Sequence, residues 1–278
     1  MMTNRRWVQA LWGAGGALAA TAFYARFIEP GWVEYVERSL PIRRLPPALV
    51  GETLVQFSDL HIGETFNWNH TLKAFAHIRP LQPGFVVYTG DFVAYRSPVQ
   101  FDQLSEVLAR APRGRLGTIA VLGNHDYGHH SARLSVAANV AQRLTAAGVT
   151  VLRNQIGVFS GLQIGGFDDW WGDNFDGEAV TRRLDPDLPT VILTHNPDTV
   201  DLPVWNGYQG WILAGHTHGG QVKPPFLPPP RLPVRNERYA AGFSDLGDGR
   251  LLYVNRGLGC SRPLRFNVRP EVTIFHLA

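Results

Sequence analysis

Residues 53–61, Thr53-Leu54-Val55-Gln56-Phe57-Ser58-Asp59-Leu60-His61, decide the fold: an apolar run stops at a polar phrase that carries a carboxylate and an imidazole. Such a run reads as a buried strand, Thr53–Ser58. The pattern recurs along the chain. Further strands are expected at Phe85–Thr89, Thr118–Leu122, Val149–Leu152, Leu162–Gly166, Thr190–Leu193, Trp211–Leu213, Leu251–Asn255 and Val272–His276. Helical periodicity falls between the early strands, at Asn69–Ile78, Val99–Ala109 and Ala132–Ala146, with Asn69 and Ser131 as N-caps and Gly148 as C-cap. Strands alternating with helices indicate an α/β fold, and the strand-rich second half indicates a second sheet. The chain shows no internal repeat and no domain linker.

The polar phrases at the expected strand ends are Ser58-Asp59-Leu60-His61, Gly90-Asp91, Gly123-Asn124-His125-Asp126, Thr194-His195-Asn196-Pro197 and Gly215-His216-Thr217-His218-Gly219-Gly220. In open α/β sheets, ligands gather outside the carboxyl ends of the strands, so these phrases are expected to share one crevice. Asp59 and His61 stand two apart, as do His216 and His218, and in an extended segment each pair points one way. Carboxylate, amide and imidazole donors without thiolate suit Mn, Fe, Zn or Co. Two ions need a bridging carboxylate, for which Asp91 beside Gly90 is the natural candidate. His125, next to Asn124, is expected to point away from the ions and to serve a leaving oxygen. For Asp126 two roles stand open, orienting His125 or closing a surface turn.

Composition excludes other classes. In 278 residues, 45% are hydrophobic, 18% are charged, and 29 Gly accompany 20 Pro, which excludes disorder, a coiled coil and a disulfide scaffold. Cys260 is the single cysteine, so neither an intrachain disulfide nor a Cys-rich metal site can form. The net charge is +3, carried by scattered arginines with only Lys73 and Lys223 besides, which argues against nucleic acid as a partner.

D-x-H, G-D, G-N-H-D, H and G-H-T-H in this order resemble the calcineurin-like metallophosphoesterase superfamily, from Ser58 to the C-terminus. One such motif is weak; five in order are specific. The resemblance implies a four-layer αββα sandwich of two mixed sheets with two divalent metal ions, Mn, Fe or Zn. It assigns Asp59, His61, Asp91 and His218 to one ion, and Asp91, Asn124, His195 and His216 to the other, with His125 as the catalytic histidine. Gly215–Gln221, Glu29-Pro30-Gly31-Trp32 and the tail Arg256–Val272 resemble a bacterial envelope-associated branch of phosphodiesterases, related to UDP-2,3-diacylglucosamine pyrophosphatases of lipid A synthesis. The implied substrate is a phosphodiester or pyrophosphate, lipid-linked in that branch, with no protein partner implied. The alternatives are a general envelope phosphodiesterase or phosphomonoesterase, and a non-catalytic metal-binding scaffold. Ala94 and Tyr95 follow Val93 where the protein phosphatase branch reads D-R, which disfavours that activity.

Arg5-Arg6 and the uncharged run Trp7–Ala25 read as a signal or membrane-anchor segment at residues 1–29, with a partial twin-arginine match and a small-x-small site at Ala20-Thr21-Ala22. Residues 30–278 then form the catalytic domain, expected in the cell envelope. Lys223–Arg235, with six prolines, reads as a stiff loop able to wall one side of the site. Trp170, Trp171 and Phe175 read as ordinary packing or as an apolar lip for an acyl chain, Asp168 and Asp169 as a turn or as a third metal site, and His70 and His77 as surface residues. His129 and His130 read as a solvated loop, or as contacts to substrate phosphate. Arg256 and Arg262 read as a phosphate clamp or as surface ion pairs.

Overall fold

Strands β2 (Thr53–Phe57), β3 (Phe85–Thr89) and β4 (Gly117–Val121) are apolar on both faces because each face is covered. In the computed structural model, which describes residues 3–63, 68–128, 131–260 and 263–278, these strands run parallel in the middle of one sheet. β1 (Glu34–Leu40) and β12 (Glu271–Leu277) extend that sheet on one side and β5 (Thr150–Val151) on the other, in the order β1-β12-β2-β3-β4-β5. β12 alone runs antiparallel to its neighbour β2.

The second sheet is built from β6 (Gln155–Phe159), β7 (Leu162–Gly166), β8 (Thr190–Leu193), β9 (Gly210–Ala214), β10 (Gly242–Asp245) and β11 (Arg250–Val254), in the order β10-β11-β9-β8-β7-β6. Its β7, β8, β9 and β11 are parallel, and the edge strands are antiparallel.

The period of two along each strand sorts side chains into three cores. Leu54, Val87, Ile119, Leu193, Leu213 and Phe275 fill the space between the sheets. Val55, Phe57, Val86 and Tyr88 point the other way, onto α2 (Asn69–Ile78), α3 (Val99–Leu108) and α4 (Leu134–Ala146). Ile192, Ile212, Leu252 and Val254 point outward from the second sheet into a third core with Val180 of the short α5 (Gly177–Thr181). These are the four expected layers. Truncating one buried leucine between the sheets, such as Leu213, to alanine costs about 2–5 kcal/mol.

Three strands carry no buried-run signature: β1, β6 and β10. Each is a sheet edge, half-buried or exposed along its length, so its residues need not be continuously apolar. The expected caps also differ. Asn69 and Ser131 do not cap: α2 starts after Trp68 and α4 after Arg133, neither with a side-chain cap. Gly148 does close α4, with φ 74° just past its end.

α1 (Thr3–Phe23) stands apart, and residues 11–23 are exposed throughout. Contact with the sandwich begins at the wide turn Tyr24–Ile28, where Ala25 is buried and its carbonyl accepts the Arg265 N–H at 2.9 Å. Among the described residues, no helix is long and apolar enough to cross a membrane.

Candidate metal centre

Because β2, β3 and β4 are parallel to one another, as are β8, β9 and β11, their carboxyl ends lie along one rim of the sandwich. The five phrases follow β2, β3, β4, β8 and β9, and all meet there. Asp59, His61 and His218 form one buried cluster and Asp91, His195 and His216 a second, with ligand atoms within 4.8 Å of one another in each. Asp59 Oδ1 lies 3.2 Å from His218 Nε2, and the Nε2 atoms of His61 and His218 are 2.9 Å apart. In the second cluster His195 Nε2 is 3.1 Å from His216 Nδ1 and 3.2 Å from Asn124 Oδ1. Asp91 Oδ2 joins the clusters, 3.5 Å from His61 Nε2 and 3.3 Å from His195 Nε2. All seven candidate ligands are thereby brought together.

The backbone route differs from the extended one expected. Asp59, His61, Asp91, His216 and His218 all have left-handed backbones, with φ of 53°, 47°, 57°, 72° and 51°. Neither Asp59/His61 nor His216/His218 therefore shares a direction through strand alternation. Each pair converges because the chain coils tightly at the strand end. Such conformations cost about 1–3 kcal/mol each and persist where the surroundings over-determine them. Glycines make room: a Cβ on Gly123 would collide with Asp91 Oδ1, and one on Gly90, at φ 92°, would stand 2.6 Å from His195 Nδ1.

Hydrogen bonds select the ring nitrogens that face inward. His195 Nδ1 donates to the Thr89 carbonyl at 2.7 Å and His216 Nε2 to the Pro233 carbonyl at 2.8 Å, leaving His195 Nε2 and His216 Nδ1 turned to the centre. Asp59 Oδ2 accepts from Ser58 Oγ at 2.6 Å and His216 N at 3.0 Å. Its buried Oδ1 has no hydrogen-bond partner among the described residues and faces the His61 and His218 rings. A buried carboxylate oxygen without a donor, among imidazole nitrogens, is what a divalent ion would satisfy. The donor set fits.

Burial holds the His61 and His216 imidazoles down at about 3 and His218 well below its usual range, so these rings are neutral with lone pairs available. Burial also raises the Asp59 carboxyl to about 6, against the pull of His195. At Asp91, burial opposes ionisation, but His195, His125 and His61 outweigh it and hold the carboxyl well below its usual range. His195 reads oppositely: burial opposes its charge, but Asp91, Asp59 and Asp169 raise it to about 10.

His125 lies nearer than expected. Its backbone N–H donates to Asp91 Oδ1 at 2.8 Å, its ring stands edge-on to His61 with centroids 4.9 Å apart, and it groups with His61 and Asp91 as a possible ligand. It is half-buried and lines a cleft of about 470 Å³ that also reaches Asn124, Asp91, His216 and His218. The proline-rich loop does wall this cleft, through Pro230, Arg231 and Pro233. Of the two readings for Trp171, packing or an apolar lip, the structure favours the second: it stands half-exposed at the cleft, edge-on to His216 at 4.5 Å. Trp170 lies beneath the Arg235 guanidinium and Phe175 against Phe167, both as packing.

Asp126 fills neither expected role. It is fully buried, and its two oxygens accept the backbone N–H groups of Asp91, Phe92, Val93 and Gly123 at 2.8–3.1 Å. It fastens the Asp91 loop to the Asn124 loop. Arg256 does not face the cleft; it pairs with Glu271 and Glu34. Asp168 bonds Tyr127 and Arg153, while Asp169 accepts the Trp171 N–H at 3.1 Å, the turn expected. His70 is half-buried, and His77 is exposed with its ring stacked on Tyr35. Arg262, His129 and His130 lie outside the described residues.

Arg265 carries no motif that marks it in the sequence. Fully buried, it donates to the carbonyls of Arg256, Gly257 and Gly259 at 2.6–3.0 Å, and it sits 3.4 Å from His218 Nδ1. The loop it braces in turn donates to the Ser58 and Asp59 carbonyls, from Leu258 N at 2.9 Å and Gly259 N at 2.7 Å.

A family model described as calcineurin-like phosphoesterase matches residues 53–220, which contain every candidate ligand and His125. The chain is 34% identical to an uncharacterized metallophosphoesterase, YkuE, of Bacillus subtilis, over 99% of this chain and 98% of that one. It is 30% identical to the phosphodiesterase YaeI of Escherichia coli over the full length of both. It is 29% identical to the UDP-2,3-diacylglucosamine pyrophosphatase LpxG of Chlamydia trachomatis, over 91% of this chain and 92% of that one.

Proposed function

The chain belongs to the calcineurin-like phosphoesterase family and is a phosphoric ester hydrolase, and from this premise we propose that it cleaves a phosphodiester or pyrophosphate bond at a dinuclear metal centre. Asp59, His61, Asp91 and His218 would hold one ion, and Asp91, Asn124, His195 and His216 the other. Two divalent ions supply Lewis-acid charge for a phosphoryl group and an activated water. The observation that carries this reading is Asp91 Oδ2, within 3.5 Å of His61 Nε2 and 3.3 Å of His195 Nε2, the place of a bridging carboxylate.

The chain's own residues supply the rest. Asp91 Oδ1 accepts the backbone N–H of His125, so the ring that lines the cleft is indexed to the centre. From there His125 gives a proton to the departing oxygen, a role worth about 10²–10⁴-fold. Trp171, Pro230 and Leu264 give the cleft apolar walls, where substrate is held partly out of water.

Purified protein with Mn²⁺ is expected to hydrolyse bis(p-nitrophenyl) phosphate, to stop on chelation, and to lose at least about 10²-fold in kcat as His125→Ala. Undiminished turnover by Asp91→Asn after stripping of metal would sink the proposal.

For the substrate we favour a lipid-linked nucleotide sugar of the UDP-2,3-diacylglucosamine type. The relative that bears that name and the apolar cleft walls support it. The full-length similarity to a relative named a phosphodiesterase favours a general envelope phosphodiesterase as the second reading. A screen of nucleotide-sugar lipids against simple mono- and diesters separates them. Envelope localisation through the N-terminal segment is part of the proposal, supported by residues 11–23 of α1, which are exposed and carry no charge. Fractionation of the intact chain tests it.

A further inference from the structure

The turn at the tip of the proline-rich loop is built against backbone preference. Leu227 N donates to the Pro224 carbonyl at 3.2 Å, closing a turn with Pro225 and Phe226 at its centre. Phe226 takes φ 66°. A positive φ after a central proline is the type II pattern, and that position favours glycine. The chain instead places a phenylalanine there, fully exposed at 104% of its reference area, beside Leu227 at 59%. A strained backbone that holds a large apolar ring in water asks for a function.

The surroundings extend the feature. Val222 bridges to Phe266, and Lys223 N donates to the Phe266 carbonyl at 2.9 Å, so the loop is attached to segment 263–269. That segment presents the exposed Leu264 at the cleft and grips the end of the N-terminal helix, through Arg265 N to Ala25 O and the Phe266 ring against Tyr24. Phe23, Phe27 and Ile28 are exposed there. Val222 and Leu264 line the cleft, and the exposed apolar side chains lie on the segments joined to them: Phe226 and Leu227 between Val222 and Pro230, and Phe23, Phe27 and Ile28 around the turn that segment 263–269 holds.

Their charge is of one sign. Arg26, Lys223 and Arg231 are exposed. The one acidic residue in segments 9–29, 222–235 and 263–269 is Glu29, which is buried and accepts the backbone N–H groups of Asn267 and Val268 at 2.9 and 2.5 Å. Exposed apolar side chains among cations, with no exposed acid in these three segments, complement an anionic lipid surface.

We infer that this rim docks on an anionic bilayer, with Phe226 and Leu227 as a second apolar anchor besides the N-terminal helix, so that the metal-centre cleft opens onto the lipid surface. Substrate then enters from the bilayer with its apolar part along Leu264 and Val222. The docking stands on the rim itself; only its purpose rests on the phosphoesterase reading.

The test uses the full chain, titrated with phosphatidylcholine vesicles and with vesicles of equal parts phosphatidylcholine and phosphatidylglycerol. Wild type is expected to partition at least about tenfold more strongly onto the anionic vesicles. Phe226→Gly is expected to weaken that partitioning about tenfold, since it removes the phenyl ring that the bilayer would take out of water. Its thermal midpoint should equal or exceed that of wild type, because glycine suits the turn. Equal partitioning of Phe226→Gly and wild type, or no preference for anionic lipid, overturns the inference. So does a dimer in sedimentation equilibrium that Phe226→Gly dissociates, since a second copy would then cover the rim. Turnover of soluble bis(p-nitrophenyl) phosphate should be unchanged in Phe226→Gly; its absence from both proteins would refute the phosphoesterase reading alone.

Discussion

His216 Nε2 donates to the carbonyl oxygen of Pro233 at 2.8 Å, so a loop between the metal centre and solvent decides which nitrogen of His216 turns inward. The acceptor is a main-chain oxygen, and any residue at 233 supplies one. What proline adds is a fixed φ that keeps the oxygen in place. Pro233→Ala is expected to fold normally and to bind Mn²⁺ about tenfold more weakly, the low end for loss of a ligand-orienting contact. Calorimetric titration of the metal-free protein measures this. An unchanged affinity would mean that His216 is oriented by other contacts.

Asp126 calls for a stability measurement as well as a metal one. Alanine there leaves the N–H groups of Asp91, Phe92, Val93 and Gly123 without their acceptor in a buried place. The expected loss is on the order of 3 kcal/mol or more, read by urea unfolding, together with weakened metal binding. The milder Asp126→Asn keeps one acceptor oxygen but turns an NH₂ toward N–H donors, so it should fall between. A neutral Asp126→Ala would contradict the fastening role.

What could be read from the sequence follows a physical division. Interior strands such as Phe85–Thr89 were legible because both faces are covered, which forces a continuous apolar run. The edge strands Glu34–Leu40, Gln155–Phe159 and Gly242–Asp245 were not, since half of their surface meets water. At the site, Asp59, His61, Asp91, Asn124, His195, His216 and His218 were legible because their side-chain chemistry is itself the signal. Asp126, Pro233 and Arg265 act on or through backbone N–H and C=O groups, which every residue carries alike, so residue type does not announce them.

Metal affinity should rise with pH. Without metal, His195 holds its proton up to about 10, raised by Asp91 against the effect of burial, so a cation binding Nε2 below that pH must displace one proton. Burial raises Asp59 to about 6, so below pH 6 a second proton must leave. Mn²⁺ affinity is therefore expected to climb about tenfold per pH unit above 6 and more steeply below it. Calorimetry in two buffers of different ionisation enthalpy counts the protons released. A pH-independent affinity between 6 and 8 would show that His195 is already neutral or is not a ligand.

Arg265 offers a way to damage one half of the centre and spare the other. Its guanidinium spans the carbonyls of Arg256, Gly257 and Gly259 and abuts His218, which belongs with Asp59 and His61. The second cluster, Asp91, His195 and His216, is held instead by Thr89 and Pro233. Lysine keeps the charge but loses the planar fork, so one ammonium cannot reach the same set of acceptors. Arg265→Lys is thus expected to loosen the Gly257–Gly259 turn beneath Asp59 and to weaken the Asp59–His61–His218 cluster selectively. Metal analysis after dialysis should then find close to one equivalent of ion per chain where wild type is expected to retain two. Loss of both ions together, with the fold intact by circular dichroism, would show that the clusters bind as a unit and that Arg265 supports them equally.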